Sequence, residues 1–93
     1  MELDQVNKTV LLVDDEPNVL SSIRRQLGRE FDILTATSGP EALEILAHSD
    51  PVALVVSDMR MPGMSGAELL SQVAKDYLQT TRMILSGQAD LES

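Results

Sequence analysis

Ala53-Leu54-Val55-Val56-Ser57-Asp58 is an apolar run that stops on an acid, and Val10-Leu11-Leu12-Val13-Asp14-Asp15 repeats that design near the start of the chain. A third run, Met83-Ile84-Leu85, stops at Ser86-Gly87. Short β-rich runs without polar alternation read as strands buried on both faces, the habit of parallel sheets. If the strands are neighbours, their carboxyl ends gather Asp14, Asp15 and Asp58 in one crevice. Three carboxylates there repel, so a proton or a cation must sit among them.

Working outward, strand one spans roughly Thr9 to Val13 after a polar lead-in of residues 1–8. Asp14-Asp15-Glu16-Pro17 reads as a helix start, with acids near the N-terminus and proline in the first turn. Val19, Leu20, Ile23 and Leu27 recur at helical spacing, and Gly28 is a stop signal. Phe31 to Thr37 forms a second strand, and Ser38-Gly39-Pro40-Glu41 opens a second helix with Ala42, Leu43, Ile45 and Leu46 on its apolar face. Pro51 separates that helix from strand three, Ala53 to Ser57. After the loop Met59-Arg60-Met61-Pro62-Gly63-Met64, Ser65 and Glu68 form a capping-box pattern for a third helix bearing Leu69, Leu70 and Val73. Arg82 to Ser86 is strand four, followed by a short polar tail from Gly87 to Ser93. The order βαβαβαβ implies an α/β fold: right-handed crossovers and a doubly wound parallel sheet covered on both faces. Ligands in such sheets bind beyond the carboxyl ends of the strands. Strand order is not fixed by this pattern.

The 93 residues allow one domain. Only Tyr77 and Phe31 are aromatic, so Leu, Val, Ile and Met must build the core. A net charge of −8 disfavours direct nucleic-acid or anionic-membrane binding, both of which need basic surface. The absence of cysteine removes disulfides, thiolate zinc sites and cysteine nucleophiles. The acidic start Met1-Glu2-Leu3-Asp4 leads us to expect neither a signal peptide nor a membrane span, and a cytoplasmic location.

Two adjacent carboxylates after strand one and a third after strand three are an oxygen-only donor set. Such hard ligands favour Mg²⁺ or Mn²⁺ over zinc. A carboxylate beside a divalent ion can attack phosphorus to give an aspartyl phosphate. A hydroxyl at Ser86 is placed to donate to a phosphoryl oxygen. The neighbouring features read more plainly. Met59, Met61 and Met64 are packing groups rather than thioether ligands, since soft donors do not suit a carboxylate cluster. His48 near the end of helix two complements the helix dipole, and Arg24, Arg25 and Arg29 form a solvated basic face.

Val10-Leu-Leu-Val-Asp-Asp-Glu-Pro, Val55-Val-Ser-Asp-Met-Arg-Met-Pro-Gly-Met-Ser-Gly and Ile84-Leu-Ser-Gly resemble, in order, the motifs of the receiver domain of two-component response regulators. The resemblance runs from about Lys8 to Asp90. It implies a flavodoxin-like sheet of order 2-1-3-4-5 and a non-enzymatic signalling module. It further implies that Asp58 accepts a phosphoryl group from a histidine kinase or phosphotransfer protein. Asp15, Asp58 and the backbone carbonyl of Arg60 become Mg²⁺ ligands, Asp14 acts through water, and Ser86 takes the place of the switch hydroxyl.

Family members continue through a further helix, a fifth strand ending in a phosphate-pairing lysine, and a last helix. Residues 1–93 are therefore expected to form a single receiver whose sheet is incomplete, because Lys8 and Lys75 do not stand in that lysine's place. Two other readings follow. An impaired receiver whose fourth strand is an exposed edge would act as an interaction module, a dimer or a pair with exchanged elements. An aspartate-nucleophile phosphatase wants a proton donor two residues past Asp58, where Arg60 cannot serve.

Overall fold

The computed structural model describes residues 6–85. Seven elements alternate: β1 (Thr9–Val13), α1 (Pro17–Leu27), β2 (Asp32–Ala36), α2 (Gly39–His48), β3 (Leu54–Asp58), α3 (Gly66–Asp76) and β4 (Thr81–Leu85). The four strands form one parallel sheet of order β2-β1-β3-β4. This is the flavodoxin-like doubly wound arrangement that the alternation and the resemblance implied.

The registers Val10↔Leu54 and Val13↔Ser57 set β1 and β3 side by side at the centre. Their side chains alternate between two layers, as the pleat requires. Leu11, Val13 and Val55 face α2 and α3, in a core with Ala42, Leu46, Leu69, Leu70 and Val73. Val10, Leu12 and Val56 face the α1 side with Leu20 and Ile33. Burying one such aliphatic side chain contributes about 1.5–3 kcal/mol. The two central strands, apolar on both faces, therefore hold the sheet together. On the outer strand β4, Met83 and Leu85 are exposed.

The element boundaries depart from the sequence reading in instructive ways. No acid lies in the first turn of α1; Glu16 is its N-cap and makes no side-chain cap bond. Asp14 and Asp15 precede the helix, Glu16 is the acid nearest its N-terminus, and Pro17 stands in the first turn as the sequence implied. The buried stripe of α1 is narrower than expected, since Val19 and Leu27 are exposed. Val19 stands about 100° round from Leu20, and Leu27 is the last residue of the helix.

Phe31 is outside β2, because its N–H donates to the Leu27 carbonyl at 3.1 Å and closes the turn after α1. Thr37 also falls outside, its N–H being drawn 2.7 Å from Glu41 Oε1. β3 extends one residue further than read, so Asp58 itself lies in the ladder opposite Leu85. Ser86 lies outside the described residues.

The predicted capping box at α3 is present in full. Ser65 Oγ accepts from the Glu68 N–H at 3.1 Å, and Glu68 Oε1 accepts from the Ser65 N–H at 2.9 Å. Ser65→Ala removes one of these bonds and is expected to cost about 1 kcal/mol. The check is a lower urea midpoint at unchanged slope.

Candidate functional site

The site is a consequence of register. Val13 pairs with Ser57, so the next residues of the two central strands, Asp14 and Asp58, emerge together at the carboxyl edge. Asp14 is held there from the other flank, its N–H donating to the Ala36 carbonyl of β2 at 3.1 Å. Asp15 follows, with its side chain in solvent. One carboxylate oxygen from each of Asp14, Asp15 and Asp58 lies within 4.8 Å of the others. Asp14 and Asp58 are half-buried and Asp15 is exposed.

Asp14 Oδ1 accepts from the Glu16 N–H at 2.9 Å, which fixes the turn between β1 and α1. Burial pushes the Asp14 carboxyl above its ordinary range, and the charges of Asp58, Asp15 and Glu16 add to that. The Glu16 N–H opposes the rise. The cluster therefore presents concentrated negative charge that its own hydrogen bonds do not fully offset. Three hard oxygen donors in that space fit a small divalent cation of the Mg²⁺ or Mn²⁺ type.

Two residues that sequence reasoning did not single out fix the backbone of Asp58. Ser57 is fully buried, and its hydroxyl donates to the Asp58 carbonyl at 2.9 Å. Gly66 comes so close that a Cβ on it would overlap the Asp58 carbonyl oxygen. The loop between them is drawn shut by the Gly66 N–H, which donates to the Met59 carbonyl at 2.9 Å. Met61 anchors this loop in the core, and Gly63 turns it at φ 84°. A hydroxyl inside a valine run was the signal for Ser57. Nothing local distinguishes Gly66 from an ordinary helix-start glycine.

Arg60 is exposed on the loop leaving β3, two residues beyond Asp58. Lys8 precedes β1 and Lys75 lies in the last turn of α3, so both sit toward the strands' amino ends, away from the acids. His48 is also remote: its Nδ1 lies 3.0 Å from the Glu44 carbonyl and 3.8 Å from Glu44 Oε2. Arg24 does more than solvate a face. Its Nη2 donates to the Ile33 carbonyl at 3.0 Å, satisfying a backbone acceptor of the outer strand β2. Among the described residues, no helix is long and apolar enough to cross a membrane.

Residues 10–93 match the family described as the response regulator receiver domain. Among curated proteins, the chain is similar to the hydrogenase transcriptional regulatory protein HoxA of Cupriavidus necator, with 40% identity over 84 residues. That match covers 90% of this chain but 17% of HoxA, so the chain spans a small part of that relative's length. Among solved structures, an adenylate cyclase from Rhodopirellula baltica superposes with a TM-score of 0.85 at 37% identity, over 87% of this chain and 60% of that one. The response regulator TrrA from Thermotoga maritima, solved with Mg²⁺ and BeF, gives 0.81 at 32% identity, over 88% and 71%.

Proposed function

The chain belongs to the response regulator receiver domain family, and from that membership we propose that Asp58 accepts a phosphoryl group from a histidine kinase or phosphotransfer protein. Receivers are signal modules that bind Mg²⁺ at an acidic pocket, and the observation that carries the reading is the convergence of the Asp14, Asp15 and Asp58 oxygens within 4.8 Å. HoxA and the R. baltica cyclase carry names for unlike outputs while sharing this part. That sharing supports an input role for it.

Residue chemistry follows from the placement. Asp58 Oδ attacks phosphorus; the new O–P bond forms as the P–N bond of the donor phosphohistidine breaks, and the departing imidazole nitrogen takes a proton. Asp15, Asp58 and the Arg60 carbonyl are the proposed metal ligands, with Asp14 acting through water. An ion held by these residues would supply positive charge between the carboxylates and the incoming phosphoryl group. Ser57 and Gly66 hold the Asp58 main chain, so its carboxylate meets the donor without first reorganising. Ser86 is assigned the hydroxyl that meets a phosphoryl oxygen and biases the output surface.

The test is incubation with Mg²⁺ and a small phosphodonor, followed by intact mass. One added phosphoryl group is the expected result, and no added mass overturns the reading. Metal alone supplies a second check. At ten times its dissociation constant, Mg²⁺ is expected to raise unfolding stability by about 1.4 kcal/mol, the mass-action value for one site present only in the folded chain. A melting temperature indifferent to Mg²⁺ would contradict the ligand assignment.

A further inference from the structure

Gly39 and Met64 meet between the start of α2 and the loop that carries the chain from Asp58 into α3. Gly39 is buried at the first position of α2. Met64 is half-buried against the core on that side of the sheet. A Cβ on Gly39 would stand 2.5 Å from Met64 Sδ, 2.9 Å from its Cγ and 3.0 Å from its Cβ. Real Cβ atoms do not approach heavy atoms so closely, and the overlap reaches back to the root of the methionine side chain. Rotation of the methionine side chain can clear its Sδ and Cγ, but its Cβ, fixed to the loop backbone, must give by a few tenths of an ångström.

Backbone freedom does not account for this glycine. Among the described residues only Gly63 has positive φ. Alanine is the better helix former by up to about 1 kcal/mol at interior positions. What Gly39 uniquely supplies is the missing Cβ.

Both partners are fixed to the site. The start of α2 is pinned by Glu41 Oε1, which accepts from the Thr37 N–H at 2.7 Å and the Thr37 hydroxyl at 3.0 Å. Just before it, the Ala36 carbonyl accepts from Asp14. On the loop side, the Met64 N–H donates to the Pro62 carbonyl at 3.1 Å, and Gly66 closes on Met59. The contact thus joins the strand end that holds Asp14 to the loop that follows Asp58.

We infer that Gly39 is a positioning residue for the phosphoryl-transfer site: by leaving room for Met64, it seats residues 59–65, the loop that carries Arg60, the backbone ligand proposed above. The inference rests on the receiver reading above, which it deepens. A purely structural role for Gly39 makes a different forecast: Gly39→Ala would be neutral or slightly stabilising, with Met64 swinging aside and no change at the site.

The experiment compares the chain with Gly39→Ala, Met64→Ala and the double variant. It reads the rate of phosphoryl uptake from a small donor in Mg²⁺ and, separately, the amide resonances of Asp58 to Ser65. Misplacing reacting groups by about 1 Å can cost about a hundredfold, and Gly39→Ala, which shifts the loop by less, is expected to slow uptake about tenfold. It should also move the loop amides while the rest of the spectrum stays folded. Removing the methionine should reverse both effects, so the double variant takes up phosphoryl faster than Gly39→Ala. Wild-type uptake in Gly39→Ala, unmoved loop amides, or a double variant as slow as Gly39→Ala would each overturn the inference. No uptake by the unmodified chain sinks the receiver chemistry instead, and the amide shifts then report by themselves whether Gly39 seats the loop.

Discussion

Asp58→Asn takes up no phosphoryl group, and without metal it is more stable than the parent chain. Both outcomes have one origin. The amide lacks the nucleophilic oxygen, and removing a covalent nucleophile lowers rates by about six orders of magnitude. Uptake read by intact mass should therefore vanish. The substitution also deletes one of three negative charges whose oxygens lie within 4.8 Å of one another. Two like charges about 4 Å apart repel by about 1 kcal/mol even at the dielectric of water. Asp58 is among the charges that push the Asp14 carboxyl upward. The metal-free variant should thus gain about 1 kcal/mol, which for a chain of this size raises the melting temperature by about 4–8 °C. The gain should shrink in high salt, which screens half-exposed charges. In Mg²⁺ the order should narrow or reverse, because the variant has lost a ligand. A phosphoryl group retained on Asp58→Asn, or a metal-free variant less stable than the parent, would refute this account of the acid pocket.

Gly66→Ala is the second large effect, and it works through packing. A Cβ at this position overlaps the Asp58 carbonyl oxygen, and it lies 3.0 Å from both the Asp58 carbonyl carbon and Ile84 Cδ1. The obstructing group is main chain at the end of a central strand, already bonded to the Ser57 hydroxyl, so it cannot swing aside as a side-chain tip can. Overpacking of this kind costs about 1–3 kcal/mol, and the rigidity of the neighbour places this case at the upper end. A fall in melting temperature of roughly 10 °C or more is expected. Relief can come only by backing α3 off from β3, which breaks the Gly66–Met59 bond and shifts Asp58. Phosphoryl uptake measured well below the melting point should therefore fall too. If Gly66→Ala melts with the parent and reacts at its rate, the close approach has no structural consequence.

The α/β class and the acids at the strand ends were legible in the sequence from short-range pattern, whereas the strand order that makes β1 and β3 neighbours came only with the family resemblance. Apolar runs of strand length, separated by helical periodicity, imply a parallel sheet, and acids that end such runs fall on its carboxyl edge. The capping box at Ser65 and Glu68 is equally local, and it was read correctly. Strand ends were misjudged by a residue wherever a side chain or a turn claimed a backbone group, as Glu41 does at Thr37 and the α1 turn does at Phe31. The breadth of the α1 stripe was overestimated because periodicity cannot tell how much sheet lies beneath a helix. Gly39 and Gly66 were not legible as site-forming residues, and Ser57 carried only the signal of a hydroxyl inside a valine run. What each does depends on which atom from a distant element comes within a few ångströms of it, and no spacing rule records that.

The central pair of strands has a consequence for how the chain folds. β1 and β3 are joined by α1, β2 and α2, so their ladder closes a long loop, and every other pairing in this parallel sheet likewise spans a crossover. Among the described residues no hairpin is available to nucleate it, and loop entropy must be met before the contacts form. Asp14 and Asp58 become neighbours only when that ladder zips. Hydrogen-exchange protection at Val13 and Ser57 should consequently track global unfolding, and any cooperative opening that parts the two strands scatters the carboxylates at the same moment.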